Sequence, residues 1–298
     1  FSSGTQELSE NFESFKSNRL TIANRLSAAR PELPADLDAN GFPQSYGKTS
    51  QQVLLASFIA AYTGVSPDKV GLSAFDKTPI PNWNMKYTGL MRLDWFKDHF
   101  TRFTISHGYR AAYSVNSYAT NLEKENSTFN PETLDVRPDY IFNNLVLNDE
   151  FNPLVRIDFE SKNNLSMLFE MKMDRALSMS FDNNLLTEIQ GKEFTLGLGY
   201  RIKDVQFVTN IGGAKQRLKS DLNIKADLSL RDNYTLIRNL ELDNTQVSAG
   251  QYFLSAKLKA EYALSQNLNP LFLGGMMISG ADDDAYGRKL FLAVGDVE

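Results

Sequence analysis

Histidine occurs twice among the 298 residues, at His99 and His107, and cysteine does not occur. His107 lies in "FTISHGYRAAYSVNSYATN" (Phe103–Asn121), directly after Ser106 and close to Tyr109 and Arg110. A histidine that takes a proton from a serine is the centre of nucleophilic hydrolysis. The surrounding alternation argues for another role. On a strand, neighbouring side chains point to opposite faces, so Ser106 and His107 cannot share a proton. No Gly-x-Ser-x-Gly turn surrounds a serine anywhere in the chain. His107 therefore reads as a wall histidine near a membrane interface, with an outer-membrane hydrolase centred on it as the enzyme alternative.

The remaining constellations carry less. Without cysteine there is no thiolate zinc site, thiol catalysis or disulfide, and two histidines leave little for a His-rich metal site. The acids of "RDNYTLIRNLELD" (Arg231–Asp243) lack the spacing of a calcium-binding EF-hand loop. "ADDDAYG" (Ala281–Gly287) reads as a solvated turn, and Gly274–Gly275 open no phosphate-binding pattern. Glu170 and Asp174 share the polar face of a strand. No enzyme activity, cofactor or metal is expected. A net charge of −5 offers no basic field to nucleic acid.

The chain changes character along its length. Thr5–Ala29 places Leu8, Phe12, Phe15, Ile22 and Leu26 at mostly helical spacings. It reads as a helix packed on the rest of the protein, with a membrane-surface helix as the alternative. Pro31, Pro34, Gly41 and Pro43 mark a loop, and Ser50–Tyr62 predicts a second helix stopping at Gly64. From about Asn82 the period becomes two. Phe103, Ile105, His107, Tyr109, Ala111, Tyr113 and Val115 alternate with polar or small residues. The same alternation returns around Val155–Phe159, Leu165–Met173, Phe194–Ile202, Leu222–Leu230 and Tyr252–Leu264, with a turn at Ser161–Asn164.

Strand length separates a membrane wall from a soluble sandwich. Tyr252–Leu264 spans 13 residues, about 43 Å at roughly 3.3 Å per residue. Strands of soluble domains average about 5–6 residues. A mean hydropathy of −0.34 fits either case, because lumen and lipid residues alternate in a transmembrane barrel. No run of 18 apolar residues exists to form a transmembrane helix. Tyr109, Tyr113, Tyr118, Tyr200, Tyr252 and Tyr262 fit interfacial girdles or cross-strand packing.

Several long stretches, in order, resemble the C-terminal part of the SprA/Sov family. They are "VLLASFIAAYTGVSPDKV" (Val53–Val70), "IPNWNMKYTGL" (Ile80–Leu90), "ISHGYRAAYSVNSY" (Ile105–Tyr118) and "FNPLVRIDFESKNNL" (Phe151–Leu165). "EFTLGLGYRI" (Glu193–Ile202), "DLNIKADLSLRDNYTLIR" (Asp221–Arg238) and "SAGQYFLSAKLKAEYALSQNLN" (Ser248–Asn269) follow, so the resemblance covers most of residues 10–269. It implies an outer-membrane translocon of the type IX secretion system: a very large single-chain β-barrel with a wide pore, exporting folded proteins and gliding adhesins. The implied partners are exported proteins with C-terminal secretion signal domains, shuttle and plug proteins of that system, and outer-membrane lipid.

The expectation is a mainly β chain: the antiparallel wall of a transmembrane barrel, with residues 1–81 as a helical and loop segment between strands. Residues 82–269 are the barrel strands. Residues 270–298 alternate poorly and form an atypical tail, frameshifted or truncated; the resemblance implies that the chain is a C-terminal fragment, because roughly ten strands cannot enclose so wide a pore. The expected lumen-facing residues are Arg156, Asp158, Glu160, Glu170, Lys172, Lys225, Asp227, Arg231, Lys257, Lys259 and Glu261. The expected lipid-facing residues are Val155, Ile157, Phe159, Leu196, Leu198, Leu228, Leu254 and Leu258. A small stand-alone porin-like barrel of roughly ten strands and a soluble β binding module are the other readings. The expected location is the cell outer membrane.

Overall fold

The computed structural model describes residues 9–34, 36–73, 81–211, 214–262 and 271–282. Helix α1 runs over Glu10–Ala28. The Ser9 hydroxyl accepts the Phe12 N–H at its start, where Glu10 and Glu13 complement the helix dipole. Phe12, Phe15, Ile22 and Leu26 form its buried stripe, so the packed-helix reading holds and the membrane-surface alternative does not. Helix α2 covers Gln51–Thr63 and buries every residue from Val53 to Tyr62. A helix apolar all round belongs inside a protein. It ends at Gly64, whose φ of 74° is the left-handed conformation that glycine adopts without strain.

Eight antiparallel strands follow in one sheet, in sequence order. They are β1 (Trp83–Tyr87), β2 (Phe100–Thr120), β3 (Tyr140–Ser161), β4 (Leu165–Ser180), β5 (Leu185–Ile211), β6 (Ala214–Asn239), β7 (Asn244–Tyr262) and β8 (Leu271–Asp282). A tight turn at one end of the sheet connects β3 to β4. Turns at the other end connect β4 to β5 and β6 to β7. Asn164, Asn184 and Asp243 close three of these turns with φ of 63°, 51° and 52°. Asn and Asp tolerate that region better than other residues with side chains.

Three features depart from the sequence reading. The strands are longer than the alternating segments, reaching 27 residues in β5 and 26 in β6. A 3₁₀ turn (Gly89–Arg92) and helix α3 (Asp94–His99) interrupt the period of two expected from Asn82 onward. The stretch read as an atypical tail places β8 against β7 through main-chain pairing, which needs no side-chain alternation. Residues 283–298 lie outside those described.

Helices α1 and α2 cover one end of the sheet. Their apolar side chains join Phe142, Leu145 and Leu147 of β3, Leu177 and Met179 of β4, and Leu186 of β5 in one core. Within it, Arg238 and Glu188 are both wholly buried. Arg238 Nε and Nη2 donate to Glu188 Oε2 at 3.2 and 3.0 Å, and Nη1 donates to Thr245 Oγ1 at 3.0 Å. The guanidinium lies 4.4 Å from the Phe12 ring centroid, tying β6 to α1. Arg175 grips Asp149 through two hydrogen bonds of 2.9 and 2.8 Å and lies over the Tyr62 ring of α2. Gln51 acts on the β3 backbone as another strand would. Its amide donates to Tyr140 O and its carbonyl accepts from Phe142 N–H.

Removing one partner of a buried ion pair leaves the other charge uncompensated. Glu188→Ala should lower stability to urea by about 3–5 kcal/mol, while Glu188→Leu combined with Arg238→Met should recover most of that loss. Urea titration followed by circular dichroism measures both.

Candidate functional site

Register assigns the described side chains of the sheet to two faces. The cross-strand row Ile105–Ile157–Phe169–Leu196–Leu228–Ala256 defines the first face. The adjacent row Ser106–Arg156–Glu170–Thr195–Ser229–Ser255 defines the second. Val155, Ile157, Phe159, Leu196, Leu198, Leu228, Leu254 and Leu258 all fall on the first face. Arg156, Asp158, Glu160, Glu170, Lys172, Lys225, Asp227, Arg231, Lys257, Lys259 and Glu261 all fall on the second.

The first face carries an apolar band. It extends from Met173 to Leu165 on β4, from Phe194 to Tyr200 on β5 and from Leu230 to Ile224 on β6. Leu258 is 54% exposed, Tyr200 49% and Leu198 44%, with Phe194, Leu228 and Leu165 close behind. Eight residues along β4 cover about 26 Å, and the six strands β2–β7 span about 24 Å, a patch of roughly 600 Å². That is the upper end of what soluble monomers expose, and such patches normally mark a contact surface. On the cap side the band stops at a polar seam formed by Asp149, Arg175, Lys192 and Asp232, beyond which the helices take over. Tyr109 and Tyr252 stand at this edge, and Tyr200 and Tyr262 at the other. Tyr113 and Tyr118 instead lie level with the helices, cross-strand from Leu147 and Phe142.

The second face is charged and internally paired. Arg156 Nη1 and Lys172 Nζ each reach Glu170 at 2.9 Å, and Arg156 also lies 3.6 Å from Asp158, which Arg102 approaches from β2. Arg231 bridges Asp174 and Glu193, each at 3.2 Å. Glu261 lies between Lys225 at 3.8 Å and Lys259, whose ammonium groups oppose each other across β6 and β7. At Gly191 an added Cβ would sit 2.6 Å from Asp174 Oδ2 and 2.9 Å from Asn233 Oδ1, so only glycine lets these side chains lie over β5. Ala112 and Ala176 leave a shallow groove of about 300 Å³ lined by Arg110, Asn148, Glu150 and Asp174. Arg102, Arg110 and Asp174 share this face, as the alternation places them, whereas Glu150 and Glu193 were missed although continuing the same alternation past each motif reaches them.

His107 belongs to the first face, cross-strand from Met85 and flanked by Trp83 and Phe151. Its Nδ1 donates to Leu154 O at 2.6 Å. That carbonyl lies in the register shift between Phe151 and Val155. Ser106 points to the charged face, opposite Arg156. Among the described residues no hydroxyl or carboxylate hydrogen-bonds to His107, and no group of His, Asp and Glu is arranged to hold a metal.

The helical cap meets the turn between β6 and β7 through charge. Arg19 Nη2 lies 2.6 Å from Asp243 Oδ1, Arg19 Nη1 donates to Leu240 O at 2.8 Å, and Lys48 Nζ lies 2.5 Å from Asp243 Oδ2. Burial pushes the Asp243 carboxyl up, but the hydrogen bonds from Lys48 and Arg19 outweigh it and hold the group below the ordinary carboxylate range. Asp135 behaves oppositely. Burial raises it, although the Gly47 N–H donates to it at 2.6 Å. No protein-family model matches the chain, and no curated protein matches it.

A carboxyl held low in the fold stabilises it fully above its unfolded value, about 3.9, and loses that contribution as pH falls through the folded value. Asp243→Asn should therefore be less stable than the unsubstituted chain at neutral pH, with the gap closing below about pH 4. For Asp135 the sign reverses. Its raised folded value makes the ionised form unfavourable, so stability gains as pH falls through that value. Urea midpoints of each variant across pH test both signs.

Proposed function

We propose that this chain is part of the wall of an outer-membrane, protein-conducting channel of the type IX secretion system. The apolar band would lie against lipid, and the charged face would line a hydrated lumen that passes folded cargo proteins and gliding adhesins. One observation carries the membrane assignment. On β7, Tyr252 and Tyr262 occupy one face and enclose Leu254, Ala256, Leu258 and Ala260 in unbroken register. Ten residues rise about 33 Å along the strand, or about 25 Å when the strand tilts by about 40°. That is the height of the apolar band, girdled by aromatic residues, around outer-membrane barrels.

The secretory assignment rests on the resemblance of the strand motifs to the SprA/Sov family. It brings the partners with it: exported proteins carrying C-terminal signal domains, shuttle and plug proteins, and outer-membrane lipid. Closure of such a barrel would satisfy the outer backbone groups of β1 and β8, which do not pair with each other among the described residues. The work of the wall is physical. Six cations and five anions make up the charged set, so neither sign dominates. Most of those charges already hold a partner within the wall, so passing proteins of either charge meet little net attraction.

The absence of cysteine makes each introduced thiol a single-site handle. Spin labels on Lys257→Cys and Lys259→Cys should be reached by a water-soluble relaxation agent. Labels on Leu254→Cys and Leu258→Cys should be reached by oxygen dissolved in the lipid. The reverse pattern overturns the assignment of faces.

A further inference from the structure

The chain has two tryptophans, Trp83 and Trp95. They stand near opposite edges of the apolar band. Trp83 is level with Tyr109 and Phe151 at the edge facing the helical cap. Trp95 belongs to α3, which leads into β2 at the far end of the sheet, where Phe100 lies opposite Ser161. About 26 Å of strand separates the two levels.

The segment holding Trp95 is built as a small amphipathic surface. Phe96 and Phe100 pack onto Phe103, and Phe100 and Phe103 pack onto Phe159 on the band's face. The segment is therefore continuous with the band. Trp95 stacks on the His99 ring with centroids 4.7 Å apart and meets Phe96 and Phe100 edge-on. Yet Trp95 is 60% exposed and Leu93 55%. At helical spacing Asp94 and Asp98 fall on the arc opposite Phe96, and Lys97 Nζ lies 3.1 Å from Asp94 Oδ1. Large aromatic rings with one polar edge, left exposed beside charged groups, are the composition of a membrane–water boundary.

Resting on the reading of the sheet as a membrane wall, we propose that residues 89–100 are an interfacial anchor. Trp95 and Leu93 insert among lipid headgroups and upper acyl chains at the band's far edge, while Trp83 does the same at the cap edge. The two together set the depth of the wall in the bilayer. The partner is the lipid surface itself, engaged by ring insertion rather than by a pocket.

The test uses the full chain in lipid vesicles with bromine quenchers fixed at different depths. Trp83→Phe leaves Trp95 as the sole reporter, and Trp95→Phe leaves Trp83. Leu198→Trp, made in the chain lacking both, reports from the middle of the band. Trp95 and Trp83 should each lose more emission to bromines near the headgroup than to bromines near the chain end, and the Leu198→Trp reporter should show the reverse. If Trp95 is unquenched, or quenched more by the deep bromines, while the Leu198→Trp reporter responds, the anchor is overturned and the wall stands. If the Leu198→Trp reporter is also unquenched, the wall reading fails and takes the anchor with it.

Discussion

Everything in this structure follows from alternation on strands that are too long for one environment. Successive side chains point to opposite faces, so an apolar face persists for as far as the pattern runs. Crossing an apolar layer takes about 9–11 tilted residues, whereas β5 has 27 and β6 has 26. In the proposed membrane wall, the remainder of the face needs a cover other than lipid. Helices α1 and α2 provide it over the strands at the cap end, burying Leu177, Met179 and Leu186. Between the exposed band and the helices lies the seam of Asp149, Arg175, Lys192 and Asp232, where the pattern admits charge. One face thus carries three successive conditions: an exposed apolar band, a polar seam, and a protein core with the Arg238–Glu188 pair inside it.

The irregular points in the sheet are handled by the same chemistry twice. Pro153 has no N–H to give the ladder, and β3 bulges between Phe151 and Val155. The carbonyl of Leu154 takes a proton donor from His107 of the neighbouring strand. In β5 the register shifts between Ile202 and Val205, and the Tyr262 hydroxyl donates to Val205 O at 2.9 Å. An unpaired carbonyl away from water is costly. A polar tip on a largely apolar ring is the side chain that satisfies it without disturbing an apolar face. The histidine that first looks like a catalytic group closes a gap in main-chain hydrogen bonding.

The two faces were legible because period two is unambiguous wherever apolar and charged residues strictly alternate, as in Leu222–Leu230 or Tyr252–Tyr262. The strand extensions were not. Past Met173 the apolar face carries Arg175, and along β5 it carries Lys192, Gln190 and Glu188, so alternation in hydropathy ends although the strand continues. Those residues make sense only once α2 and β6 stand beside them. Helix α2 was readable from its unbroken apolar run, but its seat on the sheet was not, because Gln51, Arg19 and Lys48 look like ordinary surface residues until their distant partners are known. Helix α3 was overlooked because six residues are too few to display a helical period. Strand β8 was overlooked because Gly274, Gly275 and Gly280 dilute alternation while leaving main-chain pairing intact.

The seat of the helices also bears on how the chain assembles. Arg19 donates to the carbonyl of Leu240, 221 positions later, and pairs with Asp243, 224 positions later. Contacts of such sequence separation form slowly, because a long loop must close before they yield any stabilisation. Helix α2 is synthesised before the strands that cover it, and it carries an apolar surface all round. In the interval it is a sticky intermediate that needs a holding partner or a temporary cover. The hairpin of β6 and β7 is therefore a late latch: its turn completes the enclosure of helices that precede it by most of the sheet.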